Sequence, residues 1–301
     1  MKYYWKTHGL IIKPLNTNWS KSHCMVPTII NLNNKITRVF YATRNIKNQS
    51  VISYSDIHFD KNDKISRVDQ SKIISLDIGE LGNFDDNGVL PSSIIKIKNK
   101  YYMYYIGWQP RSTTRYSLKG GLAISNNCKN FVRVSKSPVL FNNEKESIDI
   151  LTAPFVIKKN KKYYMWYVSG IKWLNKNFPL YDIKNAISKN GIDWVQTKKT
   201  SIKLKVGERA VARPNVFYDN KKLKMLYSYE KKVGKYKIGL ATHINKGSWK
   251  REDMKINFID KSPYEKNMQE YPNILIRKNK TYLFYNGDNY GKDGVLLASL
   301  T

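Results

Sequence analysis

A unit of about 60 residues recurs five times along this chain, and that recurrence restricts the fold more than any other feature. Each unit opens on a Pro flanked by apolar residues: Val26–Ile30 (VPTII), Leu90–Ile97 (LPSSIIKI), Ala153–Ile157 (APFVI), Arg213–Phe217 (RPNVF) and Tyr271–Leu275 (YPNIL). The prolines, Pro27, Pro91, Pro154, Pro214 and Pro272, are spaced 64, 63, 60 and 58 apart. Thirteen or 14 residues after each Pro, an aromatic strand ends on a Tyr: Tyr41, Tyr105, Tyr167, Tyr227 and Tyr285. A third strand then closes on a small or hydroxyl residue, as in SVISYS, GGLAIS, NAIS, KIGLAT and GVLLAS. Aromatic and β-branched content makes these segments strands, and the Gly, Asn and Lys between them suit hairpin turns.

Five such units predict an all-β, five-bladed β-propeller forming a single domain over 1–301. The expected blades are approximately 22–79, 80–145, 146–203, 204–262, and 263–301 together with 1–14. The last unit ends one strand short, and an N-terminal strand at about residues 3–12 is expected to complete it, which removes an open edge. Each Pro is expected at a strand start, where its missing N–H costs nothing.

An apolar fraction of 41% supports a large core and excludes wholesale disorder. No stretch approaches the roughly 20 apolar residues needed to cross a bilayer. Cys24 and Cys128 are too few for a disulfide scaffold or a Cys-rich zinc site. The opening MKYYWKTHGLIIKP lacks the apolar core of a secretory signal, so a cytoplasmic protein with free thiols is expected. The chain has 53 basic and 23 acidic residues, for a net charge of +30, but only ten of the bases are Arg. The lysines are scattered beside Asn, as in Lys158-Lys159-Asn160, which reads as a solvated surface rather than a nucleic-acid face. His8, His23, His58 and His243 are too dispersed for a metal motif, so no metal and no cofactor is expected.

In a propeller, the residues entering each inner strand converge at one mouth of the central channel. Four of the five entries carry an acid in a chain poor in acids. The candidate catalytic carboxyls are therefore Asp85, Asp86, Glu208 and Glu270. His23, Arg44, Trp108, Arg209, Arg213, Tyr271 and Asn286 are the candidate substrate-binding residues. Aromatic walls with carboxylates and amides suit a polyhydroxylated ligand, and the arginines add affinity for phosphate or carboxylate. Acid/base cleavage of a glycosidic bond needs carboxyls in different protonation states. The Ser188–Trp194 segment (SKNGIDW) reads as a tight Asn-Gly turn whose Trp packs between sheets, so Asp193 is assigned a structural role.

The repeat length, the acid-before-Pro pattern and several local runs resemble the five-bladed propeller glycosidases: arabinanases, xylosidases, invertase-type enzymes and mannoside phosphorylases. The runs Asn83–Ser93 (NFDDNGVLPSS), Ser22–Pro27 (SHCMVP), Tyr104–Trp108 (YYIGW), Met165–Gly170 (MWYVSG), Ala212–Pro214 (ARP) and Phe284–Gly287 (FYNG) resemble more closely bacterial glycosidase-like propellers associated with surface-polysaccharide synthesis. The resemblance spans essentially the whole chain. It implies a glycoside hydrolase or phosphorylase acting on a small carbohydrate or sugar-phosphate ligand. The alternative is a propeller that binds a carbohydrate or nucleotide sugar without turnover. The arabinanase-type Asp before the first Pro is replaced by Val26, and the Glu two before the third Pro by Thr152. The invertase-type Arg-Asp-Pro is replaced by Ala212-Arg213-Pro214. The usual carboxylate triad is therefore not carried over.

Overall fold

A computed structural model describes residues 2–144, 146–245 and 247–301, with residue 198 described by its backbone alone. The fold is nearly all β, as the repeat predicts. Among the described residues the helices are two 3-10 turns, Asp253–Lys255 and Pro263–Glu265, and the four-residue Asp288–Gly291.

Each repeat folds as an antiparallel meander. The first strands are Ser22–Asn31, Val89–Ile97, Ile150–Lys159, Ala210–Asp219 and Glu270–Ile276. Each pairs with a second strand: Ile36–Arg44, Lys100–Pro110, Lys162–Asn175, Lys222–Glu230 or Thr281–Asn286. Third strands follow at Ser50–Phe59, Tyr116–Ser125, Phe178–Ser188, Tyr236–His243 and Val295–Leu300. In space, each first strand neighbours the first strand of the next repeat, and the fifth neighbours the first. The N-terminal strand Tyr3–Ile12 pairs antiparallel with Val295–Leu300, so the two ends of the chain share one sheet.

The prolines do not mark strand starts. Each lies inside its strand at a register slip: four fall within slips between Met25 and Thr28, Thr152 and Phe155, Ala212 and Asn215, and Glu270 and Asn273, and Pro91, paired with Tyr105, borders the slip that skips Ser92. A bulge leaves one residue unpaired, so a residue without an N–H is accommodated there at no cost to the ladder. Four of the residues preceding these prolines adopt a left-handed backbone: Val26 (φ 57°), Ala153 (φ 48°), Arg213 (φ 55°) and Tyr271 (φ 54°). Non-glycine residues held there store strain, which concentrates at functional positions.

The repeated Tyr lies inside its second strand rather than ending it; it is buried in every repeat, and its hydroxyl finds a polar partner. Tyr105 donates to Asp85 (2.9 Å), Tyr167 to Glu146 (2.6 Å), Tyr285 to Glu265 (3.0 Å), and Tyr227 to Asp253. In the first repeat the Tyr41 hydroxyl accepts from Gln70 instead (3.0 Å). A third-strand glycine makes room for two of these rings: a Cβ on Gly121 would lie 2.3 Å from Tyr105 Cζ, and one on Gly239 2.6 Å from Tyr227 Cε2.

Turn aromatics lock neighbouring repeats together. Phe131 packs edge-on against Phe40, Trp194 against Tyr104, and Trp249 against Trp166. In the Ser188–Trp194 turn, the Ser188 hydroxyl accepts from Gly191 N–H, and Asn190 Oδ1 accepts from Ile192 and Asp193 N–H. Gly191 takes φ +78°, a conformation that other residues enter only with strain. Tyr104 Oη donates to the Gly191 carbonyl from the preceding repeat (2.6 Å). Tyr104→Phe is therefore expected to cost about 1 kcal/mol, read as a lower urea midpoint with unchanged slope.

Candidate functional site

The starts of the first strands gather one cluster from the second to the fifth repeat, where the loops joining second to third strands also return. Tyr181 and Tyr236 share a hydrogen bond between their hydroxyls (2.8 Å), and Tyr290 packs edge-on against Tyr236 with ring centroids 6.4 Å apart. Tyr116 packs against Trp173 at 5.5 Å. These five aromatics belong to one apolar cluster with Ile150, Ala153, Ala210 and Met268. Tyr290 is presented by a short kinked segment in which Asn289, Tyr290 and Gly291 all have left-handed backbones (φ 55°, 59° and 76°).

Glu270 begins its strand near Tyr290, and the N–H of the preceding Gln269 donates to the Tyr236 carbonyl (3.0 Å). Glu270 is fully buried, and neither carboxyl oxygen has a hydrogen-bond partner among the described residues. Burial drives its carboxyl well above the ordinary carboxylate range; the nearby Tyr271 phenol opposes this in part without reaching hydrogen-bonding geometry. Glu270 in turn raises both Tyr271, after burial as the main cause, and Tyr290. Burial therefore biases this carboxyl toward its protonated form.

Arg209 stands at the same mouth. Its guanidinium pairs with the buried Glu230, donates to the Pro179 carbonyl (3.3 Å) and lies over Phe178. Arg44 ends its strand half-buried and hydrogen-bonds Asn48 Oδ1 (3.1 Å). Burial lowers its pKa, Tyr271 raises it, and Arg115 lowers it further. His23 has a left-handed backbone (φ 64°), its N–H donates to the Lys292 carbonyl (3.0 Å), and its Nδ1 bonds the Ser22 hydroxyl (2.8 Å). Burial, Arg44 and Lys292 together bring its pKa down to about 4, so the imidazole is neutral at neutral pH.

Arg213 sits deeper, 2% exposed, and ties three repeats together across the channel. It donates to the Ser92 carbonyl and hydroxyl, to the Thr28 hydroxyl (2.7 Å) and to the Pro27 carbonyl (3.4 Å). All these partners are uncharged, and its Nε has none. Burial lowers its pKa to about 9. Asn286 is also tied down within the fold. Its Oδ1 accepts from Val26 N–H, and its Nδ2 donates to the Cys24 and Gly294 carbonyls. That leaves it a clamp on the strained 23–26 segment rather than a group with free hydrogen bonds for a ligand.

The other predicted acids have partners away from Glu270. Asp85 holds Tyr105 and Arg133, so it serves the repeat's buried tyrosine. Asp86 accepts from Gly82 N–H (2.9 Å) and Gln109 (3.3 Å), capping its turn. Glu208 forms a bidentate ion pair with Arg251 (2.7 and 2.9 Å) on the outer strand Trp249–Arg251. Trp108 is half-exposed on the second strand of its repeat, next to Gly88. Among the described residues no group of three or more His, Cys, Asp or Glu could hold a metal ion. The expectation of several converging acids thus narrows to one carboxyl, Glu270.

Sequence reasoning missed Tyr116, Tyr181, Tyr236 and Tyr290. A signal existed: Tyr116 and Tyr236 begin their third strands and Tyr181 lies near the start of its own, so the loop before the third strand delivers an aromatic to the mouth three times.

The architecture is shared with glycosidase-like propellers. A solved glycoside hydrolase has 16% identity and a TM-score of 0.74, over 97% of this chain and 90% of that one. A structure from the GH130 family of mannoside phosphorylases has 14% identity and a TM-score of 0.71, over 96% and 90%. No family model matches the chain. The uncharacterized protein Rv1502 of Mycobacterium tuberculosis is 30% identical over 301 residues, covering 98% of this chain and 99% of that protein. The chain belongs to the same family as Rv1502.

Proposed function

We propose that this protein acts on a glycosidic or sugar-phosphate bond at the Glu270 mouth, with Glu270 as the proton donor to the leaving oxygen. The observation that carries this reading is the fully buried carboxyl with both oxygens unpartnered. A neutral acid can donate a proton where an ionised one cannot, and burial is the standard way a fold keeps one neutral. The half-buried Tyr116, Trp173 and Tyr290 offer flat faces on which sugar rings pack. The glycosidase-like propeller fold supports a carbohydrate substrate.

The same reading takes the five repeats as five blades of one domain over residues 1–301, with Tyr3–Ile12 closing the ring. The cyclic neighbourhood of the first strands and the pairing of the two chain ends support it. Work inside the cell on surface-polysaccharide assembly is part of the proposal, and the two buried free thiols, Cys24 and Cys128, fit a reducing compartment. No helix among the described residues is long and apolar enough to cross a membrane.

One observation favours a second reading, binding of a carbohydrate or nucleotide sugar without turnover. The remaining candidate acids, Asp85, Asp86 and Glu208, are all engaged with partners outside the Glu270 cluster. Incubation with a panel of oligosaccharides, with and without inorganic phosphate, separates the two. Turnover supports the first reading. Calorimetric binding with no product in any reaction selects the second.

A further inference from the structure

Three features of the mouth bear on the charge of its ligand. Tyr271 packs with Met25, Val26, Leu90 and Ala42. Arg44 lies two residues beyond Ala42 on the same strand, hence on the same face, one step nearer the mouth. Beneath them Arg213 is buried with only neutral partners.

Neither Arg44 nor Arg213 is in an ion pair among the described residues. A cation taken out of water without a counter-ion is costly, so an anion arriving beside the half-buried Arg44 and the buried Arg213 is electrostatically favoured. The acids nearby do not supply it. Glu230 is taken by Arg209, Asp288 by the N–H groups of Asn267 and Met268, and Glu270 makes no ion pair or hydrogen bond with either arginine among the described residues. Arg115, on the loop before Tyr116, and Lys292, whose carbonyl holds His23, add two more cations to this side of the mouth.

We propose that the ligand of this site is an anionic sugar whose phosphate or carboxylate group is held by Arg44 and Arg115, on the far side of Tyr271 from Glu270. The inference rests on the carbohydrate reading and adds the charge of the substrate. Guanidinium groups match both oxyanions in a bidentate manner, which lysines do not. A sugar spanning Tyr271 would then leave its neutral end at Glu270 and its charged end at the arginines.

Calorimetry with four probes, glucose, glucose 6-phosphate, glucuronate and inorganic phosphate, tests this on the full chain. At least one anionic sugar is expected to bind about tenfold or more tightly than glucose. Arg44→Gln with Arg115→Gln is expected to erase that preference. Lys231→Gln with Lys250→Gln, an equal charge change on the outer groove lined by Arg251 and Met254, is expected to leave it intact. Inorganic phosphate binding as tightly as glucose 6-phosphate, and lost with the arginines, assigns the oxyanion to a separate co-substrate and overturns its attachment to the sugar. Equal affinity for glucose and the anionic sugars, an unchanged preference in the double arginine variant, or no binding of any probe overturns the whole inference. Glu270→Gln is expected to keep the anion preference, so its loss of turnover is read independently.

Discussion

Glu270→Gln is expected to lower turnover by at least ~100-fold while the protein remains folded, because amide nitrogen cannot replace a transferable proton. Gln is close to isosteric and fits the same buried space. The loss is therefore expected in kcat, with substrate binding by calorimetry largely retained. A stability signature accompanies it. The folded carboxyl titrates well above an unfolded Glu near 4.3. Below the unfolded value both states hold the proton, and Glu270 adds no pH dependence. As pH rises beyond it, the unfolded chain releases its proton first, and wild-type stability falls until pH passes the folded value. The Gln variant lacks this term. Its urea midpoint is expected to gain on wild type between acid and neutral pH, and parallel midpoints across that range would contradict a raised carboxyl.

Arg251→Met is expected to be the most damaging single change away from the mouth. The guanidinium holds Glu208 through two bonds, reaches Asp253 (3.0 Å) and accounts for the Lys203 carbonyl (3.0 Å). It also lies over the rings of Tyr227 and Tyr229, at 5.3 and 5.5 Å from their centroids. The Glu208 and Asp253 side chains are only 1% and 7% exposed; the variant leaves Glu208 without a counter-ion, while Asp253 keeps Lys205 (2.9 Å) and Tyr227. Removing one partner of a buried ion pair costs about 3–5 kcal/mol, a large share of the total stability of a domain. Denaturant unfolding measures it directly. A midpoint within ~1 kcal/mol of wild type would show that these carboxylates do not depend on Arg251. Arg251→Lys is expected to fall between the two, since a point charge cannot make the bidentate contact.

The period of the repeat carried the all-β architecture, because strand, turn and strand recur with the same residue types at each pass. The pairing of the chain ends was legible for the same reason: a fifth unit one strand short needs Tyr3–Ile12. The bulges were not legible. A Pro beside apolar residues reads alike at a strand start and in a slipped register, and only backbone pairing distinguishes them.

The acids misled for a physical reason. Asp85, Glu146, Asp253 and Glu265 all serve buried tyrosines of the repeat. Of the candidate acids Asp85 belongs to this set, while Asp86 caps its turn and Glu208 pairs with Arg251, so each has a structural task in the fold alone. Glu270 differs from them in lacking such a tyrosine clasp, and sequence does not reveal a missing partner. Tyr181 and Tyr236 went unnoticed because aromatics abound in every strand, and spacing alone does not separate a mouth residue from a core one.

Infrared difference spectroscopy of wild type against Glu270→Gln at neutral pH is the most direct measurement of the central claim, that this carboxyl is held protonated at the mouth. The predicted result is a protonated-acid carbonyl band in the wild type that vanishes in the variant. A carboxylate band lost in its place, with no acid band, would mean that Glu270 is ionised and cannot donate the proton assigned to it.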